Sequence, residues 1–169
     1  MLQRNARQDF NITLSDAQAK EMYEAFHLFY PDIAPWHESC WEYVEQGWVE
    51  TLTHRIRLLI ESEGDDREAL LRKGINTPVQ NFATDLSQLC MVYTDELLRK
   101  EYGRHLPDVW EVIGFFHDAE QFHFDKRERP AIEQIVQQAW EHPPLEERLG
   151  IEFPVPLKAE ITIGRRWKG

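Results

Sequence analysis

Ala19, Met22, Tyr23, Phe26, Phe29 and Tyr30 recur at three- and four-residue intervals, the spacing that gathers side chains on one face of a helix. Ser15 with Gln18 forms a capping box at the start of this run, and Pro31 ends it. Trp36, Cys40, Trp41 and Val44 predict a second helix over about residues 35 to 46, stopped by Gly47. The two read as a helical hairpin whose aromatic stripes are core. Residues 48–52 and 56–60 read as two short strands around Thr53, His54 and Arg55. Residues 61–66 form an acidic loop that lacks the ligand spacing and closing glutamate of a calcium-binding EF-hand.

Thr77 and Pro78 are a cap and a first-turn proline, so the longest helix is expected to start there and to end at Gly103. Val79, Phe82, Ala83, Leu86, Leu89, Cys90, Tyr93 and Leu97 form its apolar stripe, which makes it the central buried element. Residues 109–116 are an apolar strand, joined by the His117-Asp118 turn to a second strand over 120–124. In that second strand Phe122 and Phe124 face one way, Gln121 and His123 the other. Pro130 opens a helix carrying Ile132, Ile135, Val136, Ala139 and Trp140. A last strand alternates, with Val155, Leu157, Ala159, Ile161 and Ile163 inward. The order of elements predicts an α+β fold, an antiparallel sheet backed by helices, with no internal repeat.

A chain of 169 residues fits one domain, or one with an attached subdomain, and 42% apolar residues suffice for a core. A net charge of −11 argues against a free-standing nucleic-acid binder, so phosphate contacts must come from local clusters. Such clusters are Arg4 with Arg7, His54 and Arg55 with Arg57, Arg72 with Lys73, and Arg165 and Arg166 with Lys168. Cys40 and Cys90 lie on apolar stripes far apart and read as core thiols of a reducing compartment. No apolar run reaches the roughly 18 residues of a membrane span. The N-terminus lacks the apolar stretch of a signal peptide, so a cytoplasmic location is expected.

The stretch from Gly114 to Phe124 concentrates the candidate chemistry. Asp118 is held at a sheet edge, where a carboxylate can meet a metal ion; the alternative is an ordinary β-turn aspartate. His117, Asp118, Glu120 and His123 could also form a hydrolase metal cluster, but strand alternation sends Glu120 away from His123.

Four segments in order resemble the C-terminal part of family A DNA polymerases, the DNA polymerase I family. Gly47-Trp-Val-Glu-Thr-Leu52, with Arg55 and Arg57, resembles G-Y-V-E-T-L-x-G-R-R-R. Arg72-Lys-Gly-Ile-Asn-Thr-Pro-Val-Gln80 is similar to R-x-x-x-N-x-P-x-Q, followed by Asn81-Phe-Ala-Thr-Asp85 in place of G-T-A-A-D. Phe116-His-Asp118 resembles the start of V-H-D-E. Residues 155–164 with Trp167 resemble the family's closing strand and G-x-x-W. The likeness covers essentially the whole chain.

The resemblance implies the C-terminal helices of a fingers subdomain in residues 1–46 and the C-terminal part of a palm subdomain in 47–169. It implies that Asp118 is a catalytic, metal-binding aspartate, and that His117, Arg72, Asn76 and Gln80 bind DNA. His117 would stand near the primer terminus and the other three at the duplex minor groove, whose acceptors are similar across base pairs. The reaction implied is template-directed nucleotidyl transfer by two Mg²⁺ ions, one activating the primer hydroxyl and one steadying the leaving pyrophosphate. Primer-template DNA and deoxynucleoside triphosphates are the partners implied.

Departures limit the likeness. The family's first motif, with the other essential aspartate, and its nucleotide-binding fingers helix have no counterpart in these residues. Ala119 stands where V-H-D-E has glutamate, and Glu120 is displaced by one place, which reverses its facing. His54 and Asn81 each replace a glycine. Two readings follow. In one, the chain is the C-terminal piece of a polymerase, possibly of the split phage type, active only with a partner chain carrying the first motif and the fingers helix. It would work in a bacterial cell or a phage-infected host. In the other it is a non-catalytic remnant that binds DNA or protein.

Overall fold

Capping chemistry at Ser15 starts the best-defined of the early helices. The computed structural model describes residues 2–61, 66–103, 109–116 and 118–165. They divide into two compact units, Met1–Trp48 with Leu58–Ile75, and Val49–Arg57 with Asn76–Gly169.

In the first unit α1 (Leu2–Phe10) precedes α2 (Asp16–Phe29). Ser15 Oγ accepts from the Gln18 amide at 3.3 Å and Gln18 Oε1 from the Ser15 amide at 3.0 Å, which completes the expected box. The aromatic stripe of α2 does not form core: no residue of the helix is buried, and Phe29 is 79% exposed. The expected second helix is divided into α3 (Ile33–Ser39) and α4 (Trp41–Gln46). At the break, Ser39 Oγ donates to the Trp36 carbonyl at 2.7 Å and shares that acceptor with the Cys40 amide at 3.1 Å. Cys40, fully buried, takes ψ −11° there. Gly47 ends α4 with φ +79°, a left-handed position that only glycine adopts without strain. Arg67 pairs with Glu45 and lies 5.8 Å over the Trp41 ring.

The long helix α5 (Arg67–Tyr102) starts ten residues before the expected Thr77 and carries Pro78 in its interior. Asp66 is the true cap, its carboxylate accepting from the Ala69 amide at 2.7 Å. Pro78 removes one ladder hydrogen bond, which a helix of 36 residues tolerates. The helix contributes its first turns to the first unit and the rest to the second.

β1 (Trp48–Glu50) and β2 (Ile56–Leu58) pair as a short ladder, of which residues 49–57 belong to the second unit. Their turn is tied to α5 by Asp85, which accepts from Thr53 Oγ1 and, at 2.5 Å, from Arg55 Nη1. Arg57 Nη1 donates to Thr77 Oγ1 at 3.1 Å. Asp85→Ala is expected to lower stability by about 1–2 kcal/mol, because it removes charge-assisted bonds at a largely buried acceptor. An unchanged urea midpoint would contradict this.

The buried positions of α5 in this unit are Thr77, Ser87, Cys90, Thr94 and Leu98, whereas Val79 of the expected stripe is 56% exposed. Ser87 and Thr94 enter the interior because their hydroxyls donate to the carbonyls of Ala83 and Cys90, at 2.9 and 2.8 Å. Both cysteines are buried free thiols, as expected.

β3 (Trp110–Phe116) and β4 (Ala119–Phe124) form the predicted antiparallel hairpin. The register runs Trp110↔Phe124, Glu111↔His123 and Val112↔Phe122, then skips Ile113 and resumes Gly114↔Gln121, Phe115↔Glu120 and Phe116↔Ala119. The bulge at Ile113 brings Phe115, rather than Gly114, onto the inward face shared by Trp110 and Val112. Gly114 leaves room beside the bulge for the Phe116 ring, whose edge a Cβ there would meet at 2.6 Å unless the ring shifted. Trp110, Leu98 and Ile132 form the centre of the core, with Tyr102, Phe122, Phe124 and Val136 packed against them. Ile132 belongs to α6 (Arg129–Glu141), which has Pro130 in its first turn as predicted; α7 (Leu145–Leu149) follows.

The expected last strand is absent. Residues 155–163 are irregular, and Val155 is 58% exposed. Alternation describes what a strand's faces need, but a strand also needs a ladder partner, and among the described residues the ladders are β1–β2 and β3–β4. The Ala159 amide donates instead to Glu141 Oε1 at 3.2 Å. The α+β class stands, with two short hairpins in place of one sheet. The acidic loop at 62–65, His117 and Trp167 lie outside the described residues.

Candidate active site

Phe116 pairs with Ala119, which leaves Asp118 in the tight connection of the β3–β4 hairpin, exposed to solvent. The anchoring of the hairpin lies below this turn. Inward residues of both strands enter the cluster around Trp110, so the hairpin is anchored by apolar packing while its tip projects. Asp118 borders a cleft of about 710 Å³ whose wall also includes Glu120, Phe122, Cys90, Trp140 and Lys158.

Glu120 faces inward with Phe122 and Phe124, as strand parity requires. Trp140 Nε1 of α6 donates to its Oε2 at 3.2 Å, while Oε1 is shut off from solvent with no hydrogen-bond partner. Burial pushes the Glu120 carboxyl up to about 8, helped by the charge of Asp95 and opposed by the Trp140 and Thr94 hydrogen-bonding groups. The Thr94 hydroxyl already gives its proton to the Cys90 carbonyl, so it has lone pairs to offer a neutral carboxyl and no proton for a carboxylate. The same burial, with the Glu120 charge, pushes the Cys90 thiol up to about 11, so this thiol is inert rather than nucleophilic at neutral pH.

The stability consequence has a definite sign. The folded-state value of Glu120 lies above the ordinary 4.5 of an unfolded chain, so the native state holds a proton that the unfolded state releases between those limits. The stability supplied by the neutral carboxyl is complete below pH 4.5 and is lost as pH rises toward about 8. Glu120→Gln cannot ionise and is expected to be more stable than the parent at pH 8, by a few kcal/mol at about 1.4 kcal/mol per pH unit, and equal to it near pH 4. Urea unfolding across this range tests it; parallel pH profiles would contradict it.

Asn76 and Gln80 sit one turn apart on α5, and both are exposed. Arg72, also exposed, belongs to the first unit and lies 3.9 Å from Asp66. His123 is exposed and Glu120 is not, so these two members of the hydrolase cluster do not come together. Among the described residues no group of three His, Cys, Asp or Glu side chains could hold a metal ion. Asp118 therefore offers a single carboxylate: Ala119 has no side-chain oxygen to add and Glu120 turns inward. Sequence reasoning missed the Asp85 and Trp140 contacts. Alternation had already sent Glu120 away from His123, but the indole donor on α6 is a tertiary contact.

Comparison with known proteins gives a consistent result. The family model for DNA polymerase family A matches residues 3–169. The thermostable DNA polymerase I of Thermus aquaticus is 30% identical over 165 residues, covering 95% of this chain and 18% of that protein. DNA polymerase I of Lactococcus lactis subsp. cremoris is 26% identical over 161 residues, covering 93% of this chain and 17% of that protein. The chain thus spans under a fifth of the length of these relatives. The polymerase domain of Pol1 from M. smegmatis, solved in complex with DNA primer-template and dNTP, shares the fold with a TM-score of 0.69 at 22% identity, over 90% of this chain and 25% of that one.

Proposed function

Since the chain belongs to DNA polymerase family A, we propose that it is the C-terminal palm portion of a DNA-directed DNA polymerase, residues 47–169, preceded in 1–46 by the last helices of the fingers. The observation that carries this reading is Asp118, an exposed carboxylate at the tip of a hairpin anchored in a packed core. A carboxylate oxygen suits hard Mg²⁺, and Asp118 is the residue that would hold it. Bound Mg²⁺ would supply Lewis-acid activation and neutralise phosphate charge. One carboxylate is half of a two-ion site, so the second aspartate and the nucleotide-binding helix come from a partner segment. Arg72, Asn76, Gln80 and His117 are the DNA-facing residues of this reading, with primer-template and deoxynucleoside triphosphates as partners. The cytoplasm is the place of work in this reading, and no helix among the described residues is long and apolar enough to cross a membrane.

Purified alone, the chain is expected to show no primer extension. Extension by the isolated chain that is lost in Asp118→Ala would refute the need for a partner segment. Within the assembled enzyme, Gln80→Ala is expected to weaken primer-template binding several-fold, about equally for all sequences, because minor-groove acceptors vary little. Sequence-dependent loss would argue against the minor-groove role. A second reading, a non-catalytic module binding DNA or protein, draws on Ala119 in the place of the motif's glutamate.

A further inference from the structure

Glu120 is the charged residue on the inward face of β4, which is otherwise Phe122 and Phe124, and its surroundings give that departure a use. The inner rungs of the hairpin, Trp110↔Phe124 and Val112↔Phe122, are fixed by core packing. The two outer rungs, Phe115↔Glu120 and Phe116↔Ala119, carry the Asp118 connection. At these rungs Phe116 is 49% exposed and Ala119 is exposed, so neither holds the tip by burial. The polar tie at this end runs from Glu120 Oε2 to Trp140 Nε1 of α6, at 3.2 Å. An indole N–H bonds along one direction, unlike apolar contact, and Trp140 sits on a helix whose Ile132 and Ala139 are buried.

We propose that Glu120 is a positioning residue: its hydrogen bond with Trp140 holds the outer end of the β3–β4 hairpin against α6 and so sets where Asp118 stands. Glu120 is given no part in metal binding, because its Oε1 is shut off from solvent and its Oε2 is held by the Trp140 indole. It supplies from inside the protein a constraint on the turn that Ala119 cannot. The consequence for catalysis rests on Asp118 being a metal anchor, as proposed above; the constraint itself does not. A misplacement of about 1 Å at a reacting centre lowers rates on the order of 100-fold, so a bond two residues from Asp118 has catalytic consequence.

The test uses the full chain with Glu120→Leu, Glu120→Gln and Trp140→Phe. Leucine fills the space without an acceptor, glutamine keeps the acceptor, and Trp140→Phe removes the donor from the other side. Amide exchange at Asp118 and Ala119 reads the turn, and the Trp140 indole N–H resonance reads the bond. Glu120→Leu and Trp140→Phe are each expected to speed exchange at the turn about tenfold, leaving α5 amides unchanged, with Glu120→Gln restoring the parent values and the indole shift. The double variant should be no worse than either single variant. In the assembled polymerase the same two variants should raise the Mg²⁺ concentration for half-maximal extension and lower kcat, with little change in KM for nucleotide.

Unchanged turn exchange in both Glu120→Leu and Trp140→Phe overturns the proposal, as does a uniform loss of protection throughout the second unit, which would make Glu120 a structural residue only. Faster turn exchange together with a parent assembly that extends no primer supports the positioning role and counts against the polymerase reading, so the two failures are told apart.

Discussion

Asp118→Asn is expected to abolish primer extension by an assembled polymerase that contains this chain, lowering the rate by at least about 1,000-fold. The change removes one negative charge and leaves a side chain of the same shape. A metal anchor contributes several kcal/mol of transition-state stabilisation, and each 1.36 kcal/mol is about tenfold in rate. Because Asp118 is exposed at the end of a hairpin held by its inner rungs, the folded structure should be unaffected. Loss of activity with an unchanged urea midpoint is therefore the expected pair of results. An Asp118→Asn assembly that keeps more than a tenth of the parent rate would remove this residue from the chemistry.

The largest expected effect on stability belongs to Trp110→Ala. Trp110 is fully buried, touching Leu98 of α5 and Ile132 of α6, with Phe122 and Phe124 of β4 packed around it. Truncating a buried tryptophan costs about 3–5 kcal/mol, against a total of about 5–15 kcal/mol for a typical domain. The hairpin that carries Asp118 should lose protection first, since its inner rungs depend on this ring. Chemical unfolding followed by circular dichroism checks the magnitude; a loss below about 1 kcal/mol would show that the cluster is not the centre of the fold.

The features legible in the sequence were those written in local chemistry. The Ser15–Gln18 box, the left-handed stops at Gly47 and Gly103, and the hairpin closing between Phe116 and Ala119 depend on residues close together in the chain. The start of α5 was misread because Thr77-Pro78 imitates a helix N-terminus, while the working cap, Asp66, ends an acidic stretch that reads as loop. The buried face of α5 was misread because Ser87 and Thr94 look polar until their hydroxyls are bonded one turn back. Residues 155–163 and the aromatic face of α2 share another cause: a pattern shows that a face suits burial, and says nothing about what covers it. Asp118 is a candidate through its motif, whereas the Glu120–Trp140 contact joins residues 20 positions apart that no local pattern links.

That Asp118 is half of a two-ion site completed by another segment is the central claim, and reconstitution tests it most directly. The chain would be co-expressed with a polypeptide bearing D-Y-S-x-x-E-L-R and R-x-x-x-K-x-x-x-F/Y-G-x-x-Y-G, purified, and assayed for primer extension with and without Mg²⁺. The account predicts Mg²⁺-dependent extension by the pair, none by either part alone, and none when Asp118 is replaced. A pair that forms a stable complex on primer-template DNA yet extends no primer at any Mg²⁺ concentration would contradict it and make the chain a binding module.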